Sequence, residues 1–108
     1  MKLDPLEEAF ARMQTAPGFD VSKPIQWGYF FVAAKKAPLV AVRRELELQG
    51  YSFVSERVDG SGEHWLQVSR LEVHSIISLR TRNLQLSELA KKHTGVEYDG
   101  WDATRQPK

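Results

Sequence analysis

His64, His74 and His93 are the three histidines of the chain. They are its best candidates for binding a metal or for moving a proton near neutral pH. Metal ligation needs such side chains to converge. His64 follows Glu63, but neighbours along a strand point to opposite faces, so the two make no ligand pair. His74 opens a helical pattern. His93 lies near the C-terminal end of the same pattern, where its charge suits the helix dipole. All three are read as structural. The sequence contains no cysteine, which removes a disulfide framework, a thiolate zinc site and a cysteine nucleophile together. Gly60-Ser61-Gly62 is too short for a phosphate cradle and precedes a strand rather than a helix, so no dinucleotide fingerprint is present. The expectation is a protein that is not an enzyme and uses no cofactor or metal.

The pairs Lys35-Lys36, Arg43-Arg44 and Lys91-Lys92, with Arg80 and Arg82, fall on or near helical segments. They read as solvated faces. The net charge is only +1, so bulk charge predicts no nucleic-acid partner. An RNA-recognition motif would carry Lys/Arg-Gly-Phe/Tyr-Gly/Ala-Phe-Val-x-Phe/Tyr on its third strand. The corresponding stretch here is His64-Trp65-Leu66-Gln67-Val68-Ser69-Arg70-Leu71, which fails at nearly every position. Direct nucleic-acid binding is therefore not expected.

The elements that position these residues follow from periodicity. A chain of 108 residues suits one domain, which buries about two-thirds of the surface its unfolded form exposes. Asp4-Pro5 is a helix start, and Leu6, Phe10 and Met13 follow at helical spacing until Pro17-Gly18. Ile25–Ala34 is rich in aromatic and β-branched residues and predicts a strand. A helix is predicted from about Pro38 to Gln49, ended by Gly50. Strands at Tyr51–Val58 and about Glu63–Glu72 flank the hairpin signal Asp59-Gly60-Ser61-Gly62. A long helix from about His74 to Lys92 ends at Gly95, and a short strand closes the chain from Val96. The order after residue 24 is β-α-β-β-α-β, the ferredoxin-like order of an α+β fold. It predicts a four-stranded antiparallel sheet, two helices on one face and the first and third strands in the middle, plus an N-terminal helix. The division is residues 1–24 for helix and linker, 25–102 for the ferredoxin-like domain and 103–108 for a polar tail. The N-terminus lacks the apolar core of a signal peptide, and no apolar run spans a bilayer. A soluble, cytoplasmic protein is expected.

A sheet with helices on one face leaves the other to be solvated, covered or used. Alternation puts Leu66 and Val68 on one side of the third strand, as core, and Trp65, Gln67 and Ser69 on the other. In the first strand, Phe30 and Val32 alternate with Trp27, Tyr29 and Phe31. At least one large aromatic falls off the helix-covered face on either assignment. Trp27, Tyr29, Phe31, Trp65 and Gln67 are taken as a candidate partner surface. The other two readings are that the N-terminal helix covers this face with Leu6, Phe10 and Met13, and that two copies pack sheet to sheet as a homodimer. Asn83 interrupts the apolar stripe of the long helix and is expected at its solvated edge.

The last strand reads Val96-Glu97-Tyr98-Asp99-Gly100-Trp101, preceded by Leu89-Ala90-Lys91-Lys92. Tyr98 and Trp101 are large amphipathic anchors, and Asp99-Gly100 is a turn-forming pair. One reading is that they lock the strand to the core, and the other is direct partner contact. With the helix ending Leu46 to Gly50-Tyr51 and the order of elements, this motif resembles the RraB family over roughly residues 27–104. The family consists of bacterial regulators that inhibit ribonuclease E. The resemblance implies a non-catalytic protein that binds ribonuclease E, outside its catalytic domain, and lowers or redirects RNA cleavage. Glu97, Tyr98, Asp99, Gly100 and Trp101 would then be the family motif, and a ribonuclease or its scaffold region the partner. The alternatives are an interaction module of the same fold with another target, such as a toxin-immunity protein, and an RNA-binding sheet face.

Overall fold

A computed structural model describes residues 5–104, so Asp4 and residues 105–108 lie outside it. Its elements are α1 (Pro5–Thr15), β1 (Ile25–Ala33), α2 (Lys36–Leu48), β2 (Ser52–Val58), β3 (His64–Glu72), α3 (Ile76–Lys91) and β4 (Val96–Thr104). The strands form one antiparallel sheet in the order β2-β3-β1-β4. This is an α+β fold with the ferredoxin-like order, and its first and third strands are central.

Local chemistry sets the ends of the helices. Gly50, at φ 93°, closes α2. Its N–H donates to Glu47 O at 3.1 Å and the Tyr51 N–H to Leu46 O at 3.0 Å, the bond pair of a Schellman cap. α3 begins later than its histidine suggests. Ser75, not His74, is the cap, and its hydroxyl accepts from the Ser78 N–H while the Ser78 hydroxyl accepts from the Ser75 N–H. β4 runs to Thr104, so the first two residues assigned to the tail continue the strand.

The pairing of β1 corrects the expected partner surface. Tyr29 pairs with Val68 and Phe31 with Leu66, and paired residues share a face. Trp27, Tyr29 and Phe31 are all fully buried, in one core with Leu66, Val68, Leu39, Val42, Leu46, Leu79 and Leu86. These three aromatics therefore lie beneath the helices and are not surface residues. Their polar tips explain why the sheet can bury them: the Trp27 N–H donates to Glu72 O at 2.9 Å and the Tyr29 hydroxyl to Glu72 Oε1 at 2.9 Å. Phe30 pairs with Gln67 and Val32 with Trp65, so these four occupy the opposite face.

The N-terminal helix does not cover that opposite face. Phe10 and Met13 of α1 join the helix-side core. The Phe10 ring stacks on Trp27 with 6.5 Å between centroids and 2° between planes. Glu7 meets Arg80 of α3 at 2.7 Å. α1 thus widens the helix layer and leaves the far side of the sheet open. In α3, Leu79, Leu86, Leu89 and Ala90 face inward, while Ile77 and Leu84 are exposed. At 3.6 residues per turn, Ile77 points roughly 200° away from Leu79.

Candidate functional site

In the closing motif, Tyr98 and Trp101 are three residues apart, and a regular strand would place them on opposite faces. The structure places both on the helix side, because β4 carries a bulge where an abrupt turn was expected. Phe30 pairs with Gly100 and Phe31 with Tyr98, leaving Asp99 as the extra residue. Gly100 sits at φ 120°, a conformation that L side chains rarely adopt. The bulge restores the phase. Trp101 packs against Trp27, with centroids 5.6 Å apart, and Tyr98 against Phe31 at 5.3 Å. The Tyr98 hydroxyl donates to Asn83 Oδ1, and the Asn83 amide donates to Leu79 O at 2.8 Å. Asn83 is thus half-buried and satisfied by the motif. Burial drives the Tyr98 phenol far above its usual range. Glu97 and Asp99 remain exposed.

A Gly100→Ala variant tests the bulge. A Cβ there would meet no neighbouring atom within 4 Å, so the expected loss of about 1–3 kcal/mol is purely a backbone effect. Urea denaturation measures it, and an unchanged midpoint would contradict the positive φ.

The open face keeps only Trp65 and Gln67 of the five expected surface residues, and it gains Phe30. Trp65 is held rigidly. Its indole N–H donates to Asp59 Oδ2 at 2.7 Å, and the Arg57 guanidinium lies 5.0 Å from its ring centre. The Trp65 N–H, followed by the Ser61 hydroxyl, keeps the Asp59 carboxyl well below the ordinary carboxylate range. Asp59 also accepts from the backbone N–H groups of Ser61 and Glu63, so one carboxylate ties the β2–β3 hairpin to the tryptophan. At the β4 side, the register puts Glu97 beside Val32 and Asp102 beside Gly28. A Cβ on Gly28 would come within 2.3 Å of Asp102 Oδ1 and 3.1 Å of Gln67 Nε2. These two side chains close over the glycine.

A polar cluster that was not anticipated lies at the other end of the helix-side core. Glu72, with a side chain 11% exposed, meets Arg82 at 2.6 Å and Arg70 at 3.8 Å through Oε2. Its Oε1 accepts from the Tyr29 hydroxyl and lies 3.3 Å from His74 Nε2. His74 is buried, with Nδ1 2.9 Å from the Ser78 hydroxyl and Nε2 3.1 Å from the Tyr29 hydroxyl. Burial lowers the His74 pKa, against the opposing pull of Glu72. Burial also works against ionisation of Glu72, but Tyr29 and Arg82 outweigh it and its pKa is lowered. One signal in the sequence marks this cluster. Arg70 and Glu72 continue the inward parity of Leu66 and Val68, so two charges occupy core positions and require partners. The remaining histidine of α3's end, His93, meets Glu45 at 3.0 Å. Among the described residues no group of three or more His, Cys, Asp or Glu is arranged to hold a metal ion, and no helix is long and apolar enough to cross a membrane.

The family model described as RraB, Regulator of ribonuclease activity B, matches residues 6–103, nearly the whole chain. The match extends through α1, beyond the stretch that carries the resemblance in the sequence. No curated protein matches significantly.

Proposed function

This chain belongs to the RraB family, and from that membership we propose that it inhibits or redirects ribonuclease E-type RNA cleavage by binding the ribonuclease, outside its catalytic domain. The family comprises regulators of ribonuclease activity and not catalysts. The observation that carries the reading is the match across residues 6–103, which takes in every element of the fold.

Contact with the protein is favoured over contact with its RNA substrate. Glu97, Asp99 and Asp102 run along β4, beside the open sheet face, and oppose a phosphate backbone. The Trp65 ring is already engaged by Arg57 and Asp59, which limits base stacking on it. Purified ribonuclease E acting on a defined RNA is expected to cleave more slowly, or at altered sites, when the protein is added. The protein alone is expected to leave the RNA intact and to give no salt-sensitive gel shift. Unchanged cleavage at large excess, with no measurable binding to ribonuclease E, would overturn the reading.

A further inference from the structure

A groove of about 560 Å³ separates the C-terminal end of α2 from α3, and Gln49, Tyr51, Arg82, Leu84, Gln85 and Lys92 are among its lining residues. Tyr51 is only 4% exposed. The guanidinium carbons of Arg70 and Arg82 lie 5.2 and 5.7 Å from the centre of its ring. Among the described residues, two buried donors of this group, the Tyr51 hydroxyl and the Arg82 Nε–H, find no acceptor; Arg70, beside the hydroxyl, can only donate to it. Both carry a hydrogen to donate. The missing partner is therefore an acceptor, and the two flanking guanidinia favour one with negative charge.

The charges around the groove leave room for it. Glu72 binds Arg82 closely but stands 3.8 Å from Arg70, and its second oxygen is taken by Tyr29 and His74. Glu45 is engaged by Lys92 and His93, and Glu88 by Lys91. Two arginines thus share a single carboxylate. Leu84, 63% exposed, brings apolar surface to the same groove. A phosphate backbone gains nothing from a leucine rim. An acidic protein segment with apolar neighbours matches both features.

We propose that this groove docks an acidic, partly apolar segment of a protein partner, whose carboxylate accepts from the Tyr51 hydroxyl and Arg82 Nε beside the Arg70 guanidinium and whose apolar side chains rest on Leu84. The inference rests on the reading of the chain as a protein-binding regulator and names the surface and the partner chemistry. The Arg70 side chain is 37% exposed, so a carboxylate reaches its guanidinium from solvent.

The test titrates the isotope-labelled full chain with a synthetic peptide of alternating leucine and glutamate, followed by NMR. A peptide with lysine in place of glutamate is the control. The glutamate peptide is expected to shift the signals of Tyr51, Leu84, Gln85 and the Arg70 and Arg82 side chains, and the lysine peptide is not. Arg70→Gln and Leu84→Ser are each expected to weaken binding about tenfold while the remaining amide signals stay in place. Trp65→Ala, on the far side of the sheet, is expected to bind as the wild type does. Absent shifts, shifts elsewhere, or equal binding of the lysine peptide would overturn the proposal and assign the missing acceptor to a buried water. Peptide binding in the groove without any binding of ribonuclease E would leave the groove standing and remove the ribonuclease reading instead.

Discussion

Replacing Glu72 with alanine is expected to lower folding stability by about 3–5 kcal/mol, the range seen when one partner of a buried ion pair is removed. A domain of this kind holds only about 5–15 kcal/mol in total. The loss is large because Glu72 serves four groups at once: Tyr29, His74, Arg70 and Arg82. Without it, the Arg82 guanidinium has a half-buried charge whose remaining acceptor among the described residues is Gln85. The Tyr29 hydroxyl keeps only His74 as a neighbour. Glu72→Gln retains hydrogen-bonding oxygen and is expected to lose less, about 1–3 kcal/mol. Urea denaturation followed by far-UV circular dichroism ranks the three proteins. An alanine variant as stable as the wild type would mean that the cluster is not buried as described.

The same cluster sets how stability responds to acid. The folded-state pKa of His74 lies below its ordinary value of 6.5. Between those two values the unfolded chain binds a proton that the folded chain does not, so stability falls as pH drops below about 6.5. Glu72 adds a second loss. Its folded-state pKa is below 4.5, so its contribution is complete above that value and disappears as pH falls through the lowered one. Glu72→Gln is expected to flatten the acid limb below pH 4.5 and, with the upward pull of Glu72 on His74 removed, to steepen it below pH 6.5, which a series of melts across pH would read.

The fold was largely legible because its signals were local: two helical stripes, a glycine-rich hairpin and glycines after α2 and α3. The orientation of β1 was not, and the reason lies in the strand itself. Trp-Gly-Tyr-Phe-Phe-Val offers apolar residues at both parities, so period-2 alternation cannot choose a face. The choice comes from non-local partners: Leu66 and Val68 across the sheet, Phe10 from α1, and a glutamate at position 72 that satisfies two aromatic polar tips. The closing motif was legible as residues but not as geometry. Asp-Gly reads as a turn, yet here it forms a bulge, because Tyr98 and Trp101 both gain burial only when the strand slips by one residue. The buried cluster escaped for a related reason. Glu72 and Arg82 lie ten positions apart on different elements, and only the packing of α3 on the sheet brings them together.

Trp27→Ala carries the other large expected effect, and paired with Trp65→Ala it separates the two faces of the sheet. Trp27 has no exposed surface. It stacks on Phe10, meets Trp101 and presents an edge to His74 at 5.1 Å between ring centres. One side chain therefore joins α1, β4 and the polar cluster to the sheet. Its truncation leaves a cavity and strands the Glu72 carbonyl, at an expected cost of about 3–5 kcal/mol. Proteolysis is expected to cut first near α1, whose anchor Phe10 loses its stacking partner. Trp65 stands on the uncovered face, and among the described residues its side chain makes one hydrogen bond, to Asp59. Trp65→Ala is expected to cost about 1 kcal/mol. Denaturation midpoints decide the matter. If the two substitutions cost the same, β1 does not present Trp27 to the helices, and the inward assignment of Tyr29 and Phe31 falls with it.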